Sequence, residues 1–273
     1  MAALQFFLPE RWADQQVRIA VVGAGGTGSQ FLDQLASLEA TLTRLGHPGF
    51  EVSVHDGDTV SSSNIGRQRF TAADVGLNKA SLLVHRINLF YGLNWTAVAR
   101  HMDPECAPRV DLIVTCVDKA LFRARLGAAY AGRDTAALWL DFGNGPDRGN
   151  VVLGHLGVPG TKSLRLPNVV DLYPELATMH AADAEMPSCS AEEAIQRQAW
   201  PVNRVAALLG AELLWTLFRE GRIETHGAFY SLKPVLVKPL QIDPDAWAFM
   251  GLQRPSCIEY GDAATGEEVA DSD

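Results

Sequence analysis

Basic residues are in short supply in this chain. Its 23 lysines and arginines stand against 32 aspartates and glutamates, a net charge of −9 over 273 residues. A chain that acidic repels a phosphate backbone and is a poor general binder of DNA or RNA. Cysteine is scarce too. Cys106, Cys116, Cys189 and Cys257 are the full set, and no two stand in C-x-x-C spacing, so neither a disulfide framework nor a structural zinc site is expected. Long apolar runs are missing. Met1 to Leu8 has no basic stretch of the signal-peptide kind. The longest apolar helix candidate, Val205 to Phe218, contains Glu212 and falls short of a membrane span. The expectation is a cytoplasmic protein that engages neither nucleic acid nor membrane. No internal repeat is present. What remains, 47% hydrophobic and 20% charged, suits one large α/β domain or two small ones.

The most informative stretch is Ile19-Ala20-Val21-Val22-Gly23-Ala24-Gly25-Gly26-Thr27-Gly28. An apolar run stops at Gly23, and Gly23, Gly25 and Gly28 have G-x-G-x-x-G spacing. That pattern reads as a buried parallel strand, a tight turn and the start of a helix. Glycines let the backbone approach a ligand, and the helix N-terminus offers unpaired N–H groups and partial positive charge to phosphate. Asp56 ends the next strand and can accept both ribose hydroxyls, which fits NAD and ATP equally; Asp56 or Asp58 capping a turn is the plainer reading.

Along the chain, strands are expected at Val17–Val22, Phe50–His55, Thr96–Arg100, Asp111–Val117 and Ala136–Asp141. Helices are expected from Gly28 to about Leu45, from Lys79 to about Phe90 and over Lys119–Tyr130. Such alternation implies an α/β fold: a Rossmann-like, doubly wound, mostly parallel sheet. Asn150–Leu156 reads as an added antiparallel strand. Residues 159–190 read as a long crossover loop punctuated by proline, of the length that is usually functional. Ala191–Glu220 returns to helix, interrupted at Pro201. Residues 255–273 are acidic, without lysine or arginine, and read as a disordered tail.

The segment after Asp56 separates the nucleotide options. Asp56-Gly57-Asp58-Thr59-Val60 is followed by Ser63-Asn64 with Arg67-Gln68, then Asp74-Val75-Gly76 with Lys79, and later Cys116-Val117-Asp118 with Arg123. Together with Gly23 to Ser29, these pieces resemble, in order, the ThiF/MoeB/HesA family, bacterial relatives of the ubiquitin-activating enzymes. The run from Trp139 to Gly145, the long second half and the missing zinc cysteines are similar to the ThiF-related proteins of PRTRC cassettes.

The resemblance implies a ThiF-type adenylation domain over residues 10–240 that uses ATP and Mg²⁺. It also implies a small ubiquitin-like or sulfur-carrier protein as substrate, and a homodimer. A carboxylate attacking the α-phosphorus must overcome anion–anion repulsion. Arg67, as a bidentate fork, and Lys79, as a point charge, can neutralise the triphosphate. Asn64 can hydrogen-bond phosphate or the attacking group, and Asp118 can hold Mg²⁺. Gly23, Gly25, Gly26, Gly28, Asp56, Asp58 and Gln68 complete the expected nucleotide site. Each has a bland alternative: solvated charge, turn residue or, for Asp118, helix cap. The family places a cysteine where Cys189 stands, used by some members for a covalent thiol step, and often sends an N-terminal arginine into the partner's site, for which Arg11 is the candidate. A non-catalytic nucleotide- or carrier-binding scaffold is the main alternative. An NAD(P) oxidoreductase lacks any nicotinamide or proton-relay signature in the chain.

Overall fold

The computed structural model describes residues 4–160, 164–178, 198–249 and 251–252. In chain order these form β1 (Phe6–Phe7), α1 (Glu10–Asp14), β2 (Val17–Val22), α2 (Gly26–Arg44), β3 (Phe50–His55), α3 (Lys79–Tyr91), β4 (Thr96–Val98), β5 (Leu112–Thr115), α4 (Ala120–Tyr130), β6 (Leu138–Asn144), β7 (Arg148–His155), α5 (Val169–Leu172), α6 (Val202–Glu220), β8 (Arg222–Ile223), β9 (Thr225–Leu232), β10 (Val235–Gln241) and α7 (Pro244–Phe249). The main sheet has eight strands in the order β10-β9-β7-β6-β5-β2-β3-β4. The five from β6 to β4 run parallel, and β7, β9 and β10 extend them antiparallel. The fold is the expected Rossmann-like α/β sheet with an antiparallel portion.

The central strands are apolar on both faces because both faces are covered. Along β2, Val17, Ile19 and Val21 enter one core with Phe31, Leu32 and Leu35 of α2, Leu83 and Ile87 of α3, and Leu214 and Leu217 of α6. Ala20 and Val22 enter a second core with Leu126 of α4, Trp139 of β6 and Val169 of α5. Helix α6 packs along α2. Helix α3 begins at Asn78, whose side chain accepts a hydrogen bond from the Ser81 N–H (2.9 Å), and stops at Gly92, in the left-handed region at φ 70°.

The chain winds outward from β2 through β3 to β4, then returns to pair β5 beside β2 and winds the other way to β6. The strand order therefore reverses between β2 and β5. In open α/β sheets the crevice beyond the strand C-termini at such a reversal is the ligand site.

Several elements depart from expectation. Helix α2 starts two residues earlier, at Gly26, and α6 starts only after Pro201. The described part of the crossover region, residues 164–178, contains α5 and a 3-10 turn. β1, α1 and the strands after α6 were not foreseen. β1 pairs only with β8, two residues on each side. Strand β10 is exposed at every position but Leu240 and carries Pro239, which an edge strand tolerates. The expected acidic tail lies outside the described residues.

Two histidines sit buried on the antiparallel side. His155 Nδ1 accepts from the Leu166 N–H (2.9 Å), and His226 Nδ1 donates to the Leu153 carbonyl (2.8 Å), its ring edge-on to Trp247. Burial pushes both imidazoles down to about 4, with Arg165 adding to the effect on His155. Both are neutral in the folded chain, whereas an unfolded chain takes up their protons near the ordinary value of about 6.5. Stability is therefore full above that value and falls as the pH drops towards 4. Urea titrations from pH 7 to 4.5 are expected to lose up to about 1.4 kcal/mol per pH unit per histidine. A midpoint constant between pH 7 and 5 would contradict this.

Candidate nucleotide site

The glycine turn stands at the reversal point. Gly23 has φ 93°, and a Cβ there would lie 2.8 Å from the Cys116 carbonyl oxygen; a Cβ on Gly28 would lie 1.9 Å from the Gly23 carbonyl oxygen. Only glycine lets the strand end, the helix start and the end of β5 close on one another in this way. Gly25 precedes helix α2 as its N-cap with no side-chain cap bond, and nothing lies within 4 Å of the position a Gly25 Cβ would take. Its first N–H groups therefore carry partial positive charge with no side-chain cap to neutralise it.

Asp56 latches this turn to the end of β3. Its buried carboxylate accepts from the Ala24 N–H (2.6 Å) through one oxygen and from the Asp58 N–H (2.8 Å) through the other. Lys79, the first residue of α3, donates to Asp58 Oδ2 at 2.9 Å; the lysine side chain is 9% exposed and the aspartate 55%. His101 Nε2 stands 3.5 Å from the other oxygen of Asp58. Ligand atoms of Asp56, Asp58 and His101 lie within 4.8 Å of one another, but Lys79 already supplies a cation at Asp58.

The segment between β3 and α3 folds over α2. The Arg69 N–H donates to Ser29 Oγ (3.3 Å), and the Arg69 guanidinium pairs with Asp33 (3.1 Å). Within this segment Asn64 is buried and closes a capping box, its Oδ1 accepting from the Ser61 N–H at 2.9 Å. Arg67 is half-buried, with one long bond to the Ser63 carbonyl (3.5 Å). Gln68 is buried, and its Oε1 has no hydrogen-bond partner among the described residues.

On the other side of the turn, Asp118 follows β5, exposed and free of hydrogen bonds and ion pairs among the described residues. The backbone beneath it is held from below. Arg123 Nη2 donates to the Val117 and Phe142 carbonyls (2.8 and 2.7 Å), and Nε donates to Asp141 Oδ1 (2.7 Å). Thr115 Oγ1 also donates to that carboxylate oxygen. Cys116 packs against the turn, and burial, with the Asp141 charge added, pushes its thiol far above the usual range.

Of the expected residues, the structure gathers the glycines with Asp56, Asp58 and Lys79 on one flank, Asn64, Arg67 and Gln68 over α2, and Asp118 on the other flank. Arg11 lies elsewhere in its own chain: its guanidinium pairs with Asp111, which precedes β5 at the opposite end of the sheet. Cys189 lies outside the described residues.

A polar network was not foreseen. Thr27 Oγ1 donates to Asn203 Oδ1 (3.0 Å), Asn144 Nδ2 donates to that same oxygen (3.0 Å), and the Tyr230 hydroxyl reaches Asn144 Oδ1 at 2.7 Å. It ties the first turn of α2 to β6, α6 and β9. Its members come from four distant segments, so no local spacing announces it.

The orphaned Gln68 oxygen, the uncapped N-terminus of α2 and the carboxyls of Asp56 and Asp118 fit a nucleotide with a divalent cation. The ThiF family model matches residues 10–237, and the chain belongs to this family. No curated protein sequence matches it. Among solved structures, it is similar to PaaA at 18% identity and TM-score 0.58, with 83% of this chain and 64% of PaaA covered. It is also similar to E. coli MccB solved with ATP, at 17% identity and TM-score 0.54 with the same coverage. The microcin C7 biosynthetic enzyme MccB in complex with N-formylated MccA aligns at 17% identity and TM-score 0.53, again over 83% of this chain and 64% of that one. The chain thus spans less than two thirds of these relatives' length, and at such identity the likeness is one of fold.

Breaking the pair beneath Asp118 is expected to be costly. Arg123→Ala leaves the Asp141 carboxylate, 1% exposed, without its cation. Chemical denaturation should register a loss of about 3–5 kcal/mol. The double variant with Asp141→Asn should recover part of it. Equal stability of Arg123→Ala and the parent would contradict this arrangement.

Proposed function

We propose that the protein adenylates the terminal carboxylate of a small partner polypeptide, of the ubiquitin-like or sulfur-carrier class, at the expense of ATP. The observation that carries this reading is the uncapped N-terminus of α2 at the strand reversal, flanked by the free carboxyl of Asp118. In the reaction, a carboxylate oxygen of the substrate attacks the α-phosphorus. A new P–O bond forms, the bond from that phosphorus to the bridging oxygen breaks, and pyrophosphate leaves with the electron pair. The product is a mixed anhydride of the acyl group and AMP.

No protein nucleophile is required, so the chain's contribution is positioning and charge. The α2 N–H groups receive phosphate oxygens. Asp56 accepts the ribose hydroxyls. Lys79 exchanges Asp58 for phosphate, and Arg67, held among the described residues by one long bond to Ser63, swings to the same anion. Asn64 keeps its Oδ1 on Ser61 and turns its amide N–H₂ to the incoming carboxylate. Asp118 would hold Mg²⁺, which when bound draws charge from the phosphate oxygens. The adenylation domain is assigned to residues 10–240. A homodimer, Arg11 acting in the partner's site, and transfer of the acyl group to Cys189 belong to the same proposal. The structures of MccB with ATP and with N-formylated MccA support it by analogy of fold.

ATP–pyrophosphate exchange in the presence of candidate carrier proteins tests this directly. Asp118→Ala and Arg67→Ala are each expected to lower exchange by about 100-fold or more, with the fold retained because both side chains make little contact in the resting chain. Nucleotide binding without exchange for any carrier would favour the non-catalytic scaffold, and full exchange in Asp118→Ala would remove that residue from the mechanism.

A further inference from the structure

Beyond Asn144 the sheet continues as antiparallel strands with a surface of its own. Register sets Gly143, Asn150, Phe229 and Lys238 in one row across β6, β7, β9 and β10, and Arg148 and Leu236 stand two residues along on the same face. This is the face that carries Trp139 and Asp141, opposite the one against α6. Here the strands and Tyr173 border an open cavity of about 520 Å³, within the range of ligand sites. Its inner end is Gly143 and Asn144, and Asn144 is bonded to Thr27 in the first turn of α2. The cavity therefore starts at the strand end that is tied, through the other face of the sheet, to the first turn of α2.

Its charge is the reverse of the protein's. Arg148 and Lys238 line it and no aspartate or glutamate does, in a chain of net charge −9. Among the described residues Arg148 spends only its Nε, on Asp147 (3.2 Å), which leaves both terminal nitrogens to donate. Lys238 and the amide of Asn150 have no hydrogen-bond or ion-pair partner among the described residues. Gly143 brings no side chain to the row, and the Asn150 amide lies over it. From Gly143 to Lys238 the row crosses three strand spacings, about 14 Å, which an extended chain covers in about four residues.

We propose that this cavity reads an acidic side chain in the extended carboxyl-terminal segment of a partner polypeptide, with Arg148 and Lys238 as the receiving cations. The proposal rests on the adenylation reading and adds a specificity to it. The last residues of the segment lie beside the Asn150 amide at the Gly143 end of the row and send the terminal carboxylate towards α2. Asn150 donates to or accepts from their peptide groups. About four residues upstream of the one seated at Gly143, a glutamate or aspartate meets Lys238 and the free nitrogens of Arg148. The charge-assisted bonds fix which segment enters and in which direction, and the exposed apolar Leu236 packs against its stem.

Fluorescence anisotropy with labelled synthetic peptides tests this in the presence of ATP. Each peptide ends in glycine. One glutamate is stepped through successive upstream positions, and each peptide is compared with its glutamine counterpart. At one position near that spacing the glutamate peptide is expected to bind about tenfold more tightly. The double variant Arg148→Glu, Lys238→Glu should abolish that preference and favour a lysine peptide instead. ATP affinity should stay unchanged, and Lys233→Glu, in the β9–β10 turn outside the cavity, should leave the preference intact. Equal binding of glutamate and glutamine peptides at every position, no binding of any peptide, or a preference that survives the double variant would overturn the proposal. Pyrophosphate exchange with the same peptides separates the two readings. Exchange without an acidic preference removes the cavity's role and leaves adenylation standing. An acidic preference without exchange from any peptide leaves the cavity as a binding site and removes adenylation.

Discussion

One close approach organises the ligand edge of this protein: the start of α2 lies directly on the Gly23 carbonyl, with the end of β5 pressed against it. Any side chain at Gly28 would push the helix away from the strand. The turn would then open, Asp56 would lose the Ala24 N–H it holds at 2.6 Å, and the N-terminus of α2 would no longer point across the reversal between β2 and β5. The proposed phosphate cradle is thus a property of backbone packing, with the candidate side chains arranged around it. Lys79 and Asp58 belong to the β3 side, Asp118 to the β5 side, and the segment carrying Asn64, Arg67 and Gln68 is laid over the helix by Arg69 and Ser29.

The parallel half of the fold was legible because its strands are buried on both faces. Such strands must be continuous apolar runs, and Val17–Val22 and Phe50–His55 end cleanly at Gly23 and Asp56. Helix α2 was read as starting at Gly28 because its true start carries no capping side chain, only glycines, which have low helix propensity. The strands β9 and β10 escaped notice for the opposite reason to β2. Val235 and Leu236 lie 83% and 58% exposed, and Pro239 interrupts the run, so the pattern lacked the burial that makes a strand readable.

The site divides the same way. Candidate residues set by short spacings, from Gly23 to Gly28 and from Asp56 through Asn64, Arg67 and Lys79, can be named from the sequence because the turn and its latch are local. The residues that join the site to the rest of the sheet were not. Asn203 meets Thr27 across 176 positions of chain, and Tyr230 meets Asn144 across 86. Asp141 reads in the sequence as an ordinary strand residue, and only the fold reveals that it anchors Arg123 under the loop of Asp118. The antiparallel strands matter for the same cause. They carry the polar network, which reaches the first turn of α2 through Asn144, and the cationic cavity that Asn144 also lines.

The central claim is that two cations and one carboxyl converge on a triphosphate seated at the N-terminus of α2. A crystal structure of the full chain with Mg²⁺ and a non-hydrolysable ATP analogue tests it most directly. The expected result has the phosphates on the α2 N–H groups, the ribose on Asp56, Arg67 and Lys79 turned onto the triphosphate, and the ion bound to Asp118. A triphosphate bound away from that helix, or bound there with residues 67, 79 and 118 directed elsewhere, would contradict the account.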